Sequence, residues 1–323
     1  MDKPLAQITT HQVNNPEELV HAIRSATFEP CLLERTDNAT YLSRAVLPET
    51  CIDFVTLGSS FLFKGILPST CFTLVFILDC PRQGKSFNFG VEHQGGYMAF
   101  FPPGAPLDAY IPVGYSNATL TVPQDLFLKT VACMFPEIPE SIIKTGAGVQ
   151  VKKSSPLALR RLLAEVKSGL VDMGAPFASH AARAELESQL LIGFLSVLSD
   201  AVAGEGPRLK PRTENTEKRL RQARDFLRET ITHPIHLDEL CQELGMSRRG
   251  VEMMFRKSFN TTPGTYLQRQ RLNGVRRDLM VSNAHSVSIR EIANKWGILH
   301  MGHFSRNYRD LFGESPSTTL RRG

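Results

Sequence analysis

The sequence lacks the long apolar segments and the motifs that mark membrane proteins and several common enzyme classes. No window of about 18 uninterrupted apolar residues occurs, which predicts no membrane span and no membrane partner. The start of the sequence has no apolar core of the signal-peptide type, so we expect a cytoplasmic protein. Serine-nucleophile motifs, phosphate loops and metal-spaced Cys/His clusters are also missing. We therefore predict no catalytic residue, no metal and no cofactor.

Cysteine is scarce and widely spaced. The six cysteines are Cys31, Cys51, Cys71, Cys80, Cys133 and Cys241, and no two of them form a CxxC pair. In a cytosolic chain this pattern predicts reduced thiols that are mainly buried.

The positive charge lies at one end of the chain. Residues 208–323 hold 22 Lys/Arg and 12 Asp/Glu, a net +10, whereas residues 1–207 hold 15 and 20, a net −5; the sum is the overall +5. A basic third joined to an acidic remainder favours binding of a polyanion by that third alone. A solvated charged surface is the alternative.

The composition along the chain predicts an α+β protein of two domains. A first domain, 1–203, has a β-rich part at about 40–122 and a helical part at about 124–203. Within the β-rich part, short apolar runs such as 71–79 are separated by Gly/Pro turns, which indicates a barrel or sandwich. The Gly-, Pro- and charge-rich segment 204–216 reads as a linker, and an all-α domain follows at 217–323.

The helical part carries a wide apolar stripe. Its members are Leu157, Leu159, Leu162, Leu163, Val166, Leu170, Leu186, Leu190, Leu191, Phe194, Leu195 and Leu198. A stripe of this kind either packs within its own domain or forms a helix-mediated dimer. We predict a homodimer through this segment.

A repeat occupies the C-terminal domain. Residues 237–245 align with 289–297 at an offset of 52, and 255–263 align with 308–316 at an offset of 53. In each copy an apolar-periodic helix ends near a Gly and a second helix follows, which predicts two helix-turn-helix motifs. Two structural hairpins with solvated arginines are the alternative, which the tandem arrangement disfavours.

The second helix of each copy has one apolar and one polar face. In the first copy we expect Ser247 as the N-cap, and the predicted inner residues are Val251, Met254, Phe255 and Phe259. In the second copy the predicted inner residues are Phe304, Tyr308, Leu311 and Phe312. Arginine and small polar residues on the outer faces suit insertion into the major groove of DNA.

A connector, 263–282, joins the copies and is predicted to form one long helix that fixes their separation. Arg269, Arg276 and Arg277 are expected to face phosphates or solvent. Gly274 lies inside this helix at a cost of ~1 kcal/mol relative to Ala, and close helix packing is one explanation for it.

Residues 215–320 resemble the DNA-binding domain of the AraC/XylS family of transcription regulators. The matching residues are Ser247, Arg248, Arg249, Phe255, Arg271, Leu272, Ile289, Ile292, Ala293, Gly297, Phe304, Ser305, Arg306, Gly313, Glu314, Ser315, Pro316 and Ser317. Residues 271–277, with Trp296 and Gly297, are most similar to the ethanolamine-utilisation regulator branch. The resemblance implies an activator whose partners are double-stranded promoter DNA, RNA polymerase, a small-molecule effector and a second copy of the chain.

Carried over by position, the resemblance also implies the DNA contacts. The expected base contacts are Arg249, Glu252, Met253, Met301, Gly302, Ser305 and Arg306. The expected phosphate contacts are Ser247, Arg248, Arg256, Lys257 and Arg309. Ile298 stands where the family usually has Phe, and Met301 and Gly302 are weak hydrogen-bonding residues. The second helix is therefore expected to read DNA shape or a thymine methyl group as much as base edges.

Residues 97–110 resemble the strand-turn-strand of cupin-like sensor domains. Leu107 stands where small-molecule cupins often carry His, and only His93 lies near. This argues against a metal-dependent cupin, and the effector-binding residues are unknown from sequence. The alternatives are an enzymatic N-terminal domain, of the thiol alkyl-transfer or cupin type, and a sensor that binds a partner protein. Alkyl transfer needs an activated Cys, whereas Cys241 lies at an inner helix position.

Overall fold

The protein is described from a computed structural model. It covers residues 8–13, 15–22, 27–81, 86–88, 91–93, 95–150, 157–172, 177, 179–203, 214–233, 235–282 and 287–322. Most of the predicted linker therefore lies outside the described residues. The chain divides into two compact units, and the first comprises residues 1–30, 37–58 and 63–210. The second comprises residues 31–36, 59–62 and 211–323.

Two β-sheets hold the twelve strands of the described residues. The first sheet has the order β1 (Ile8–Val13), β3 (Thr40–Val46), β4 (Cys51–Thr56), β11 (Ser116–Pro123), β6 (Cys71–Asp79), β9 (Tyr97–Phe101) and β12 (Ala147–Gln150). The second has the order β2 (Thr27–Glu34), β5 (Ser60–Ile66), β10 (Pro106–Ile111), β7 (Ser86–Asn88) and β8 (Val91–His93). Strand formation thus begins well before residue 40, where the sequence pattern first indicated it.

Four helices of the N-terminal half pack on one face of the first sheet. They are α2 (Gln124–Met134), α3 (Glu140–Thr145), α4 (Leu157–Asp172) and α5 (His180–Ala203), whereas the short α1 (Pro16–Ala22) contacts β1. Alternate residues of the central strands, such as Phe54, Leu120 and Phe76, point to this face and share one core with α2, α4 and α5. The rings of Phe72 and Phe127 stack 4.0 Å apart within that core.

The apolar stripe that suggested a dimer is used within the chain. Leu163 and Val166 of α4 and Leu190 and Phe194 of α5 are buried against the first sheet. The stripe therefore gives the dimer no support, and the dimer stays a prediction.

The cysteines differ from expectation in their burial. All six are free thiols, but Cys133 is exposed and the other five are partly exposed. Sequence spacing alone does not report burial, and the expectation of mainly buried thiols was wrong.

Seven helices form the C-terminal part of the second unit. They are α6 (Glu214–Glu229), α7 (Leu237–Leu244), α8 (Arg248–Phe259), α9 (Pro263–Val281), α10 (Ile289–Lys295), α11 (Met301–Phe312) and α12 (Pro316–Arg322). The architecture is thus mixed α+β, with sheets in the N-terminal part and helices in the C-terminal part. Among the described residues, no helix is long and apolar enough to cross a membrane.

Candidate DNA-binding interface

The first helix-turn-helix motif is α7 and α8. Helix α7 ends at Leu244, and Gly245 takes a left-handed conformation with φ 56°, which glycine adopts without a Cβ penalty. The backbone leaves this turn in an extended conformation at Ser247, whose hydroxyl accepts a hydrogen bond from the Gly250 amide at 3.2 Å. Ser247 is therefore the N-cap of α8, as predicted.

The second motif, α10 and α11, repeats this design with different caps. Ser288 and Glu291 form a reciprocal capping box at the start of α10. After α10, Gly297 takes φ 72°, again in the left-handed region. Helix α11 begins at Met301 after His300, whose side chain makes no capping hydrogen bond. The sequence at 298–300 thus offers no equivalent of the Ser247 cap.

The inner faces of α8 and α11 correspond at four positions along the two helices. Both helices have twelve residues, and the buried side chains of α8 are Val251, Met254, Phe255, Ser258 and Phe259. Those of α11 are Phe304, Tyr308, Leu311 and Phe312, so the predicted inner faces are confirmed. The shared apolar spacing orients the opposite face of each helix toward solvent.

The outer face of α8 holds the three base-contact candidates of the first motif. Arg249 is exposed, and Met253 is 60% exposed. Glu252 is partly exposed and lies 3.8 Å from the Arg248 guanidinium, one turn earlier.

The outer face of α11 holds the four candidates of the second motif. Gly302 and Ser305 are exposed, and Met301 is partly exposed. A Cβ at Gly302 would meet nothing within 4 Å. The Arg306 side chain is 81% exposed, and its Nε lies 4.0 Å from the Asp310 carboxylate, a contact that is weak in water.

The phosphate-contact candidates flank these two faces. Arg248, Arg256 and Lys257 are exposed on α8, and Arg309 is exposed on α11. Ser247 is exposed as well, although its hydroxyl oxygen already accepts the capping hydrogen bond. Its O–H remains able to donate to a phosphate.

The connector is a single helix, α9, and aromatic contacts join it to the first motif. Only residues 260–262 separate α8 from α9, and Thr262 caps α9 by accepting from the Thr265 amide. The Tyr266 ring lies 5.3 Å from Phe255 and 4.9 Å from Phe259.

Arg271 of the same helix serves a structural role. Its Nε donates to the Ile231 carbonyl at 2.8 Å, and a second donor reaches the His233 carbonyl. This arginine ties the connector to the segment between α6 and α7.

The arginines of α9 differ from the sequence prediction. Arg276 is buried, only 1% exposed, and it donates to Glu314 Oε1 at 2.7 Å. Arg277 is exposed but lies over the Trp296 ring at 5.6 Å, and Arg269 is half-buried. The prediction that all three face phosphates or solvent was wrong for Arg276. Its partner lies 38 residues away, where helical periodicity gives no signal.

Gly274 is explained by close packing. A Cβ at this position would lie 2.4 Å from the indole ring of Trp296, well inside contact distance. The Trp296 Nε1 donates to Asp278 Oδ2 at 2.9 Å, and Lys295 Nζ contacts the same oxygen at 2.8 Å. The chain's one tryptophan therefore packs directly against the connector backbone.

Comparisons with known proteins identify this domain. A family model described as a helix-turn-helix domain matches residues 240–322. The XylDLEGF operon transcriptional activator of Pseudomonas putida is 41% identical over 96 residues, 30% of each chain. A probable AraC family transcriptional regulator from Rhodopseudomonas palustris is 32% identical. The match covers 32% of this chain and 96% of that one, with a TM-score of 0.31. The C-terminal helix-turn-helix domain belongs to the AraC/XylS family.

The similarity to curated relatives is confined to one part of the chain. A probable thc operon regulatory protein of Rhodococcus erythropolis is 35% identical over 102 residues, 32% of this chain and 31% of the relative. This chain thus matches about 30% of the length of these relatives. Membership of the family therefore rests on the helix-turn-helix domain, and the ethanolamine-utilisation branch stays a prediction.

The N-terminal half has a polar region on the sheet face opposite the helices. Arg44 pairs across strands with Asp53, and its Nε and Nη2 donate to the two carboxylate oxygens at 2.6 and 2.8 Å. This bidentate bond is the main reason that the pKa of Arg44 is raised. The hydroxyls of Thr73 and Thr121, which face each other in neighbouring strands, are buried without a hydrogen-bond partner.

His93 and Leu107 lie in β8 and β10. The side chain of His93 lies outside what the structure describes, so the predicted lack of a cupin metal site stays a prediction. In the described part of the chain, no three His, Cys, Asp or Glu side chains form a group that could hold a metal ion.

Proposed function

We propose that this DNA-binding regulator is sequence-specific and reads DNA with both motifs. The supporting observation is that α8 and α11 present exposed arginines on matched outer faces while one continuous helix holds their inner faces. An exposed arginine near the start of a recognition helix can donate two hydrogen bonds to guanine. The proposed base contacts are Arg249, Glu252, Met253, Met301, Gly302, Ser305 and Arg306.

The proposed phosphate contacts are Ser247, Arg248, Arg256, Lys257 and Arg309. Each lies on α8 or α11, or at the start of α8, and is exposed. Phosphate contacts hold the protein in register on the duplex but carry no sequence information. Binding should therefore weaken as salt rises. A plot of the logarithm of the association constant against the logarithm of the salt concentration should have a slope of about −0.9 for each neutralised phosphate.

Two neighbouring arginines of α11 provide a matched test. Arg306→Ala should weaken binding to a selected operator by ~1–3 kcal/mol and relax preference at one base pair. Arg309→Ala should weaken binding to selected and random duplexes alike. Gel-shift titrations with the full chain, using a duplex selected from a random library, would measure both effects. Equal losses on both duplexes for Arg306→Ala would contradict its role in base reading.

We further propose that the N-terminal half binds a small-molecule effector. The buried and unpartnered hydroxyls of Thr73 and Thr121 support this proposal, because such groups normally find a hydrogen-bond partner. Cys51 lies opposite Thr121, and the Arg44–Asp53 pair lies on the same face. A ligand with hydrogen-bonding groups would satisfy the two hydroxyls.

Replacement of these hydroxyls by methyl groups tests the effector proposal. Thr73→Val and Thr121→Val remove the hydroxyls at little cost, because an unpartnered buried hydroxyl does not stabilise the fold. We expect both variants to be as stable as wild type without ligand and to lose the thermal shift that a small-molecule library gives with wild type. A ligand whose thermal shift survives when Thr73→Val and Thr121→Val are combined in one chain would show that the site lies elsewhere.

The thiol-transfer alternative is not favoured. Burial raises the pKa of the Cys51 thiol to about 12, with Asp53 adding to the effect, and desolvation also raises the pKa of Cys241. A raised pKa disfavours the thiolate that nucleophilic transfer requires. We propose that the protein is not an enzyme. Reaction of either cysteine with an electrophile at neutral pH faster than a free thiol would contradict this reading.

We also propose that the protein is a cytoplasmic activator that binds RNA polymerase and works as a dimer. The activator role is supported by the Pseudomonas putida relative, which is described as a transcriptional activator. A reporter assay with the selected operator tests it: transcription should rise when the protein is present. Repression from the same promoter would contradict it.

A further inference from the structure

The junction between the connector and the second motif is built around a buried arginine. Arg276 of α9 is among the largest fully buried side chains of the described residues. Its guanidinium carbon lies 4.7 Å from the ring centre of Phe312, near the end of α11. Its Nη1 donates to Glu314 Oε1 at 2.7 Å, just after α11 ends.

The partners of Arg276 form a connected network. Thr319 of α12 donates to Glu314 Oε1 at 3.0 Å and accepts from the Tyr308 hydroxyl at 2.9 Å. Arg322 holds the other Glu314 oxygen at 2.7 Å. The network therefore links α9, α11 and α12 through hydrogen bonds. Each of these bonds forms only when donor and acceptor have a particular relative orientation.

The adjacent turn of the connector holds the other helix of the same motif. Trp296, at the end of α10, packs on the Gly274 backbone and donates to Asp278. Residues 274–278 thus contact both helices of the second motif. The first motif is joined to α9 differently, through the aromatic contacts of Tyr266, which have weaker directional demands.

Stability alone does not account for a buried ion pair. Removing two charges from water costs about as much as their attraction returns, and well-packed apolar residues of similar volume often replace such pairs without loss. A guanidinium fork, in contrast, accepts few arrangements of its partners. The Arg276 network therefore restricts α11 to one orientation on α9, an effect that burial of apolar side chains alone would not have.

We propose that Arg276 is a positioning residue that sets the orientation of the second recognition helix relative to the first, and thereby the DNA spacing that the protein accepts. The proposal rests on the proposed reading of DNA by both motifs. Arg276 itself is buried away from the outer faces of α8 and α11, and it acts through Glu314 and Phe312.

The decisive variant is Arg276→Met with Glu314→Leu in the full chain. The probe is a duplex that the wild-type protein selects from a random library. A series of duplexes is then made from this probe, with one or two base pairs added or removed between the two segments that the motifs contact. One base pair rotates the segments by about a tenth of a turn. Wild-type affinity should fall ~10-fold or more per step, as for a mismatched site. The double variant should vary by less than ~3-fold across the series.

The controls separate the outcomes. Arg228→Ala removes an exposed arginine of α6 and should leave the spacing profile of wild type unchanged. A double variant that melts like wild type and keeps the wild-type spacing profile overturns the positioning role. Wild-type protein that selects no duplex overturns both this proposal and the proposed function.

Arg276→Lys covers the case in which the double variant fails to fold. Lysine keeps the charge but lacks the fork, so a folded Arg276→Lys protein should bind with a broadened spacing profile. A profile as sharp as that of wild type would again overturn the proposal.

Discussion

The two helix-turn-helix motifs have the same helices but different attachments. In both, a left-handed glycine ends the first helix, and a twelve-residue second helix buries an aromatic face. The first motif is capped by a serine hydroxyl and packs on the connector through aromatic rings. The second has no side-chain cap on α11 and is held by a buried ionic network and by Trp296.

The difference shows that one repeated pattern can be fixed in place by two kinds of force. Aromatic packing buries area but tolerates small rotations of the rings. Charged hydrogen bonds in a buried site demand particular distances and angles. The stability of the second motif should therefore depend more strongly than that of the first on single residues that attach it to α9, although the recognition helices of the two motifs are similar.

The largest expected effect comes from breaking the buried pair. Glu314→Ala leaves the Arg276 charge buried without its carboxylate, which should destabilise the second motif by about 3–5 kcal/mol. Urea unfolding would measure the loss, and hydrogen exchange would localise it to α10–α12 rather than α7–α8. Arg228→Ala, which removes an exposed pair, should cost about 0–1 kcal/mol. Equal loss of protection in both motifs would contradict the difference in attachment.

An intermediate effect separates two glycines of the second unit. Gly274→Ala gains helix propensity, but its Cβ would lie 2.4 Å from Trp296, so we expect net destabilisation by about 1–3 kcal/mol. Gly302→Ala meets nothing within 4 Å and should stabilise the protein by about 0.5–1 kcal/mol. Thermal unfolding of the two variants would test these opposite signs. Stabilisation by both changes would show that the Trp296 ring can move away from residue 274 at little cost in stability.

The smallest expected effect concerns the caps. Ser247→Ala removes the hydroxyl that accepts from Gly250, which should cost ~1 kcal/mol. His300→Ala removes a side chain that makes no capping hydrogen bond, so stability should change by less than ~0.5 kcal/mol. Chemical denaturation of the two variants compares them directly. A larger loss for His300→Ala would mean that the start of α11 depends on this side chain in another way.

Local features of the sequence predicted much of the second unit. The Ser247 cap and the inner faces of α8 and α11 depend on residues within one or two helical turns, and the offset repeat is visible by direct comparison of two sequence segments. Periodicity reports such short-range relations well. The early strands β1 and β2 were missed, because they precede the region where apolar runs and Gly/Pro turns alternate clearly.

The sequence pattern did not predict which side chains are buried or which distant residues contact each other. The apolar stripe of α4 and α5 was equally consistent with a dimer and with an internal core, and the first sheet uses it internally. The cysteines were expected to be buried and are not, since burial depends on what packs over a side chain.

The sequence by itself determined the number of motifs, their helices, their turns and their charge, because each of these depends on neighbours along the chain. Only the tertiary structure decided what Arg276, Gly274 and Trp296 do. An arginine and a glycine in a helix have many uses, and the choice among them depends on Glu314 and an indole ring that folding brings from distant positions. The physical reason is that packing and buried hydrogen bonds act between surfaces, whereas periodicity describes one element at a time.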